Sequence, residues 1–153
     1  MPALSTNVEL IDAARRNCIP LIAVAFKDQL PSHIRKYGGY IINLQNKGEG
    51  NGTHWTALFV QNKQVIYFDS FGFAPPELVK MFARQIDPSV VYNKKQIQNV
   101  ESGVCGYYVL YFLYFMSHTK GTIHQKFQRF LNMWSDDPQK NRTLLERYIK
   151  PLA

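Results

Sequence analysis

The sequence predicts an α+β fold in which a mixed central β-sheet packs on a buried central helix, with further helices flanking them. Residues 105–118 are apolar almost all round, which is typical of a helix buried on every side. Residues 54–61 and 64–69 are rich in β-branched and aromatic side chains and flank a polar turn at 61–63, which predicts a hairpin. Apolar side chains recur at helical spacing over 123–134, which predicts a flanking helix.

The N-terminal part of the chain supplies the other strands and a first helix. Thr6 and Glu9 have the spacing of a capping box, so a short amphipathic helix should begin here and end near Arg16. The apolar run at 20–26 suits a buried strand, and residues 40–44 predict a second one.

The second half continues the same alternation of elements. Prolines open a predicted helix at 75–84, and short strands are expected at 89–92 and 96–100. Residues 135–138 supply a stop and a cap for a last helix with apolar positions between 144 and 149. No repeat or linker interrupts the chain, so we expect a single domain over residues 1–153.

Composition excludes several classes of protein. The chain has 153 residues, 46% hydrophobic and 14% aromatic, enough for a ring-filled core. Its two cysteines, Cys18 and Cys105, have no paired spacing, so we expect neither a disulfide scaffold nor a zinc site. The apolar run 104–116 is shorter than the roughly 20 residues that span a bilayer, and no secretion signal is evident, so we expect a soluble monomer without a membrane partner.

The net charge of +7 favours polyanions, and non-specific DNA is therefore a candidate partner. The positive charges are scattered along the chain rather than gathered in one run.

Cys105 has the setting that a nucleophilic cysteine requires. Thiolate rather than thiol attacks a carbonyl, and the N-terminus of a helix favours the thiolate. Cys105 opens the predicted buried helix and is followed by Gly106, which we expect to let the backbone approach a substrate closely. A single cysteine in an apolar segment also leaves open the alternative of an inert core residue.

His54 and Asp69 lie at the same end of the predicted hairpin. His54 follows a Gly- and Asn-rich loop, so its ring can project at the sheet edge as a base. Asp69 closes the second strand and can orient the ring nitrogen that faces away from the sulfur, although a turn in which Asp69 caps its own backbone is an equal alternative. We expect the other histidines to be surface residues: His33, His118 and His124.

Gln98 lies seven residues before Cys105 and can donate its side-chain amide to a developing oxyanion, together with the Cys105 backbone N–H. Gln96 competes for this role, because alternation along the predicted strand would turn both glutamines the same way.

The order of the three residues, histidine then acid then cysteine, differs from that of papain-like enzymes, which place the cysteine first. Segments 53–55, 67–73 and 98–107 resemble the adenains, the adenovirus maturation proteases, and the wider clan that includes the proteases of ubiquitin-like modifiers. The resemblance runs from about residue 17 to residue 116.

The resemblance implies a cysteine endopeptidase in which His54, Asp69 and Cys105 form the triad and Gln98 contributes to the oxyanion hole. The adenains have glutamate as the acid where this chain has Asp69. The adenains also hold an activating peptide through a cysteine between the acid and the glutamine. No cysteine occurs there in this chain, so we expect no covalent peptide cofactor and no other bound cofactor.

The resemblance further implies that viral capsid precursors are the substrates and are cleaved after small residues, often glycine. A narrow cleft near Gly52 and Trp55 would explain such a preference. Compact proteases of this kind occur in virophages and related small DNA viruses or transposons. The resemblance implies such a source here, and we therefore expect the protein in the virion and the host-cell virus factory. DNA stimulates adenain, and we expect the same electrostatic assistance here.

Three alternatives stay open on the sequence alone. A protease that removes ubiquitin-like modifiers would use the same residues on another substrate. An acetyltransferase would use the cysteine as an acyl carrier. A basic DNA-coating module would retain the motif residues without activity.

Overall fold

A computed structural model describes residue 4 and residues 6–48, 54–99 and 104–152. In chain order the elements are α1 (Asn7–Arg16), β1 (Leu21–Phe26), β2 (Gly38–Asn43), β3 (Trp55–Gln61), β4 (Gln64–Phe68), α2 (Glu77–Ala83), β5 (Val91–Tyr92), α3 (Cys105–His118), α4 (Ile123–Asn132) and α5 (Pro138–Ile149).

The strands form a mixed sheet in the order β1-β2-β3-β4-β5. The two outer pairs, β1 with β2 and β4 with β5, are parallel, and the two inner pairs are antiparallel. β3 and β4 form the predicted hairpin, in which Gln61 pairs with Gln64. Asn62 and Lys63 join them with φ of 50° and 63°, the positive values that a tight hairpin turn requires.

Helix α3 lies against one face of this sheet and forms the centre of the main core. Phe112 is fully buried, and its ring stacks on Phe68 of β4 at 4.8 Å between centroids. Phe127 and Phe130 of α4 contact the same Phe112 ring edge-on, so α3 is enclosed between the sheet and α4. Aromatic packing of this kind explains why the α3 sequence is apolar on nearly every side.

The opposite face of the sheet is covered by α2. Val79, Phe82 and Ala83 of this helix form a second buried cluster with side chains that alternate toward them along the strands, such as Leu58 and Tyr67. The predicted α+β fold, a mixed sheet packed on a buried helix with Cys105 at its N-terminus, is therefore confirmed.

The predicted helices at both ends of the chain are present. The capping box of Thr6 and Glu9 begins α1, and the Asp137 side chain caps α5 by accepting from the Gln139 N–H. The expected strand at 96–100 is wrong for residues 96–99, while residue 100 lies outside the described residues. The reason is that the N–H groups of Ile97 and Gln98 both donate to the Ser70 carbonyl, which a regular strand ladder does not permit.

None of the described helices is both long and apolar enough to cross a bilayer.

Candidate active site

The hairpin brings His54 and Asp69 together at one end of strands β3 and β4. His54 directly precedes β3 and Asp69 directly follows β4, and the pairing of Ala57 with Phe68 sets both at the same end. The His54 Nε2 and Asp69 Oδ1 atoms are 2.7 Å apart. The Asp69 side chain is completely buried and that of His54 is 13% exposed, so the pair is shielded from water.

Hydrogen bonds to its main chain and carboxylate hold Asp69 in this orientation. The Asn93 side chain donates to the Asp69 carbonyl at 2.6 Å and accepts from the Asp69 N–H at 3.2 Å. Asp69 Oδ1 also accepts from the Phe71 N–H at 2.8 Å, as in an Asx turn. The two alternatives considered for Asp69 are therefore both present, because one oxygen caps the local turn and contacts the imidazole.

Cys105 is the first residue of α3, and it is 6% exposed. The backbone N–H of Trp55 donates to its sulfur at 3.4 Å, which stabilises negative charge on Sγ. The N-cap residue is Val104, whose side chain has no hydrogen-bonding atom to cap the helix. The positive end of the α3 dipole therefore lies beside the sulfur.

The ring of His54 connects Asp69 to Cys105. Burial lowers the pKa of His54, but hydrogen bonding and charge interactions with Asp69 and Cys105 outweigh it and raise the pKa to about 9. Asp69 occupies Nε2, and Nδ1 has no hydrogen-bond partner among the described residues, so Nδ1 is the ring nitrogen that is left for Cys105. The imidazole is therefore charged at neutral pH and lies between an acid and a thiol.

Phe71 fixes the plane of the His54 ring. The two rings are parallel, with 4.0 Å between centroids and an interplanar angle of 4°. Such stacking restricts rotation of the imidazole and favours its charged form through the negative face of the phenyl ring.

Gln98 is 1% exposed and is held by Ser70, the residue after Asp69. The Ser70 hydroxyl donates to Gln98 Oε1 at 2.5 Å, and the Gln98 N–H donates to the Ser70 carbonyl at 2.9 Å. Gln96 is exposed and donates its amide to the Gln98 carbonyl at 3.0 Å. The expectation that both glutamines turn the same way is wrong, because the segment is not a strand.

The expected substrate-contact residues have different outcomes. Gly52 lies outside the described residues. Trp55 has its side chain in the main core with 6% exposed, so its backbone is the part that contacts the sulfur. Gly106 is approached by the Leu4 carbonyl of the same chain where a Cβ would stand, so this close approach is to the N-terminal segment and not to a substrate.

The remaining candidate groups lie apart from this cluster. His33, His118 and His124 are exposed, as expected. Cys18 is an exposed free thiol. Within the part of the chain that the structure describes, no group of three or more His, Cys, Asp or Glu side chains is arranged to hold a metal ion.

No protein-family model matches the chain, and no curated protein sequence is similar to it. Among solved structures, the ASFV pS273R protease is similar over 99% of this chain and 68% of its own, with 15% sequence identity and a TM-score of 0.55. This chain therefore shares the fold of that protein. A second structure of that protein, with selenomethionine, matches at 21% identity and a TM-score of 0.40 over 60% of this chain, which corresponds to 38% of the longer protein.

Sequence reasoning missed four residues that support the cluster. Ser70 and Phe71 lie inside the segment 67–73 that carries the resemblance, so their position next to Asp69 was an available signal. Asn93 and Asn141 had no local signal. Asn141 lies on α5, 44 positions from Ile97, whose carbonyl accepts its side-chain amide at 2.9 Å.

Proposed function

We propose that the protein is a cysteine endopeptidase whose nucleophile is Cys105. The observation that carries this proposal is the arrangement around His54: its Nε2 contacts a fully buried carboxylate at 2.7 Å while the same ring interacts with the Cys105 thiol. An oriented base beside a thiol at a helix N-terminus is the arrangement that activates a sulfur nucleophile. The fold shared with the ASFV pS273R protease supports the same conclusion.

The chemistry follows from the positions of these groups. The thiolate attacks the scissile carbonyl carbon, and the carbonyl electrons move to its oxygen to give a tetrahedral oxyanion. The oxyanion collapses as His54 gives its proton to the leaving amine, which leaves a thioester on Cys105. Water then gives a proton to His54 and attacks the thioester, which releases the acid and restores the cysteine. Asp69 holds the ring and stabilises its charged form throughout.

Gln98 is the candidate side-chain donor to the oxyanion, together with the Cys105 N–H. Its amide is buried and bound by Ser70, which lies in the turn that follows Asp69. Donors that are already in place stabilise a developing oxyanion without reorganisation.

Viral precursor proteins are the proposed substrates, with cleavage after small residues, inside the virion or the virus factory. This rests on the adenain-like motifs at 53–55, 67–73 and 98–107 and on the fold shared with a protease named for ASFV. Capsid precursors, a virophage origin and a narrow cleft at Gly52 and Trp55 belong to the same proposal.

The test compares the two cysteines of the chain. Cys105→Ala should lower cleavage of a virion-precursor extract by at least about 1,000-fold, since loss of a nucleophile removes most of the rate enhancement. Cys18→Ala is the matched control, because it removes an exposed thiol and should leave the rate unchanged. Undiminished cleavage by Cys105→Ala would refute the assignment.

Parallel incubation with conjugates of ubiquitin-like proteins separates this proposal from the deconjugating alternative. Consumption of acetyl-CoA would identify an acetyltransferase. The DNA-coating alternative predicts that iodoacetamide leaves Cys105 unmodified at neutral pH. The proposal predicts rapid modification, because the charged His54 ring interacts with Cys105 at the N-terminus of α3.

A further inference from the structure

A buried serine holds the side chain of Gln98 by its oxygen end. Ser70 is 0% exposed and Gln98 is 1% exposed, and the Ser70 hydroxyl donates to Oε1 at 2.5 Å. The two ends of a carboxamide have nearly the same shape, so hydrogen bonds decide which end faces which way. A hydroxyl that donates to Oε1 thus selects one of the two amide orientations.

The backbone of Ser70 reinforces this selection. Its carbonyl accepts from the N–H groups of Ile97 at 2.8 Å and Gln98 at 2.9 Å, so Ser70 contacts both the main chain and the side chain of Gln98. The Asn141 amide holds the Ile97 carbonyl at 2.9 Å from the other side. The main chain at Gln98 is therefore held in place, and the Ser70 hydroxyl binds the oxygen end of its amide.

Ser70 is also adjacent in the chain to the acid of the cluster. It directly follows Asp69, the partner of His54. The pairing of β3 with β4 ends at Ala57 and Phe68, and the N–H of Trp55, the first residue of β3, donates to the Cys105 sulfur. The serine thus stands between the triad acid and the oxyanion glutamine.

We propose that Ser70 is a positioning residue for the oxyanion hole, which holds Gln98 Oε1 so that the NH₂ end of the amide is directed to the oxyanion. This rests on the function proposed above. Without the hydroxyl, the Gln98 amide can turn its oxygen toward the oxyanion. The two oxygens would then repel each other, and the oxyanion would lose its side-chain donor. Ser70 does not contact the substrate and acts through Gln98.

Two reactions of the same thiol separate this role from a structural one. Acylation by p-nitrophenyl acetate passes through a tetrahedral oxyanion, whereas alkylation by iodoacetamide is a displacement at carbon that forms none. Ser70→Ala should lower the acylation rate constant by about 10- to 100-fold, bounded by the loss that removal of an oxyanion donor causes. The alkylation rate should stay within about twofold, because His54 and Cys105 are unchanged.

A double-mutant cycle supplies the decisive comparison. In a Gln98→Ala background, Ser70→Ala should have no further effect on acylation, because the side chain that it positions is gone. Ser117→Ala is the matched control, since this serine bonds carbonyls of its own helix, Leu113 at 2.7 Å and Tyr114 at 3.2 Å. If Ser70→Ala does not fold, Ser70→Thr and Ser70→Val are compared instead, because the two side chains have nearly the same shape and only threonine keeps the hydroxyl. The threonine variant should then be acylated faster than the valine variant.

The possible outcomes distinguish failure of the Ser70 role from failure of the proposed function. An equal fall in acylation and alkylation, or a full effect of Ser70→Ala in the Gln98→Ala background, would overturn the role of Ser70 and leave the proposed function intact. A wild-type protein whose Cys105 reacts with neither reagent would refute the proposed function itself.

Discussion

Replacement of Asp69 by asparagine tests the electrostatic basis of the site. Asp69→Asn keeps an oxygen that can accept from Phe71 and the His54 ring but removes the charge. Burial lowers the pKa of His54, and Asp69 is the main group that raises it, from 6.5 to about 9. At 1.36 kcal/mol per pH unit, this rise corresponds to about 3 kcal/mol of imidazolium stabilisation. The variant should have a His54 pKa near its ordinary value or below.

The sign of the effect on stability follows from proton linkage. The folded pKa of His54 lies above the unfolded value of 6.5, so the stabilisation is complete below pH 6.5 and is lost as pH rises through about 9. The free energy of unfolding of the wild type should therefore fall by up to about 3 kcal/mol across this window relative to Asp69→Asn. Cleavage at neutral pH should fall by roughly 100- to 10,000-fold in the variant.

Two measurements check this prediction. An NMR titration of ¹³C-labelled histidine gives the pKa of His54, with the three exposed histidines as internal references. Denaturant unfolding at several pH values gives the free-energy difference. Asp12→Asn is the control, because Asp12 is exposed and pairs with Arg16 at 3.2 Å. A His54 pKa that moves by less than about one pH unit in Asp69→Asn would refute the reasoning.

Three further outcomes are expected. Phe71→Leu keeps apolar bulk but removes the ring stacked on His54 at 4.0 Å. The pKa of His54 should therefore fall, which the basic limb of the pH–rate profile measures, and cleavage should slow by about 3- to 10-fold. Gly106→Ala should destabilise the fold by about 1–3 kcal/mol in denaturant unfolding, since its methyl group would meet the Leu4 carbonyl. An unchanged midpoint of denaturant unfolding would contradict this expectation and show that the N-terminal segment moves away without a cost in stability. Added DNA should accelerate cleavage at low salt and lose its effect at high salt, given the net charge of +7; equal rates with and without DNA at low salt would exclude the effect.

The fold could be predicted where local pattern determines structure. Helix α3 has the bounds that its apolar run predicted. A helix that is buried on every side can be recognised from a continuous apolar run, without hydrophobic periodicity. The hairpin was predictable from its two apolar runs and polar turn, and its register then places His54 beside Asp69. The expected strand is wrong for residues 96–99 because the competing acceptor, the Ser70 carbonyl, lies 27 and 28 positions earlier in the chain than its donors Ile97 and Gln98.

The supporting residues of the site show a similar division. Asp69 and Phe71 are local to one turn, and Gly72 closes that turn with φ of +83°. Asn93 and Asn141 are single buried amides that each bind one partner in a distant segment, and a lone asparagine carries no pattern that distinguishes such a residue from one on the surface. Their identification therefore requires coordinates.

The turn after β4 and the segment before Gln98 behave as one unit. A side chain at Gly72 would meet the carbonyl of Lys94 at 2.9 Å, so the two segments lie in direct backbone contact. Lys95 extends the contact to the end of α4, where its amine donates to the Trp134 carbonyl at 2.7 Å. The acid and the oxyanion glutamine are thus mounted on this unit, whereas the nucleophile belongs to α3. A perturbation of the unit should therefore lower acylation through both Asp69 and Gln98, and thiol alkylation through Asp69 and His54 alone, because Cys105 and its Trp55 contact lie outside it.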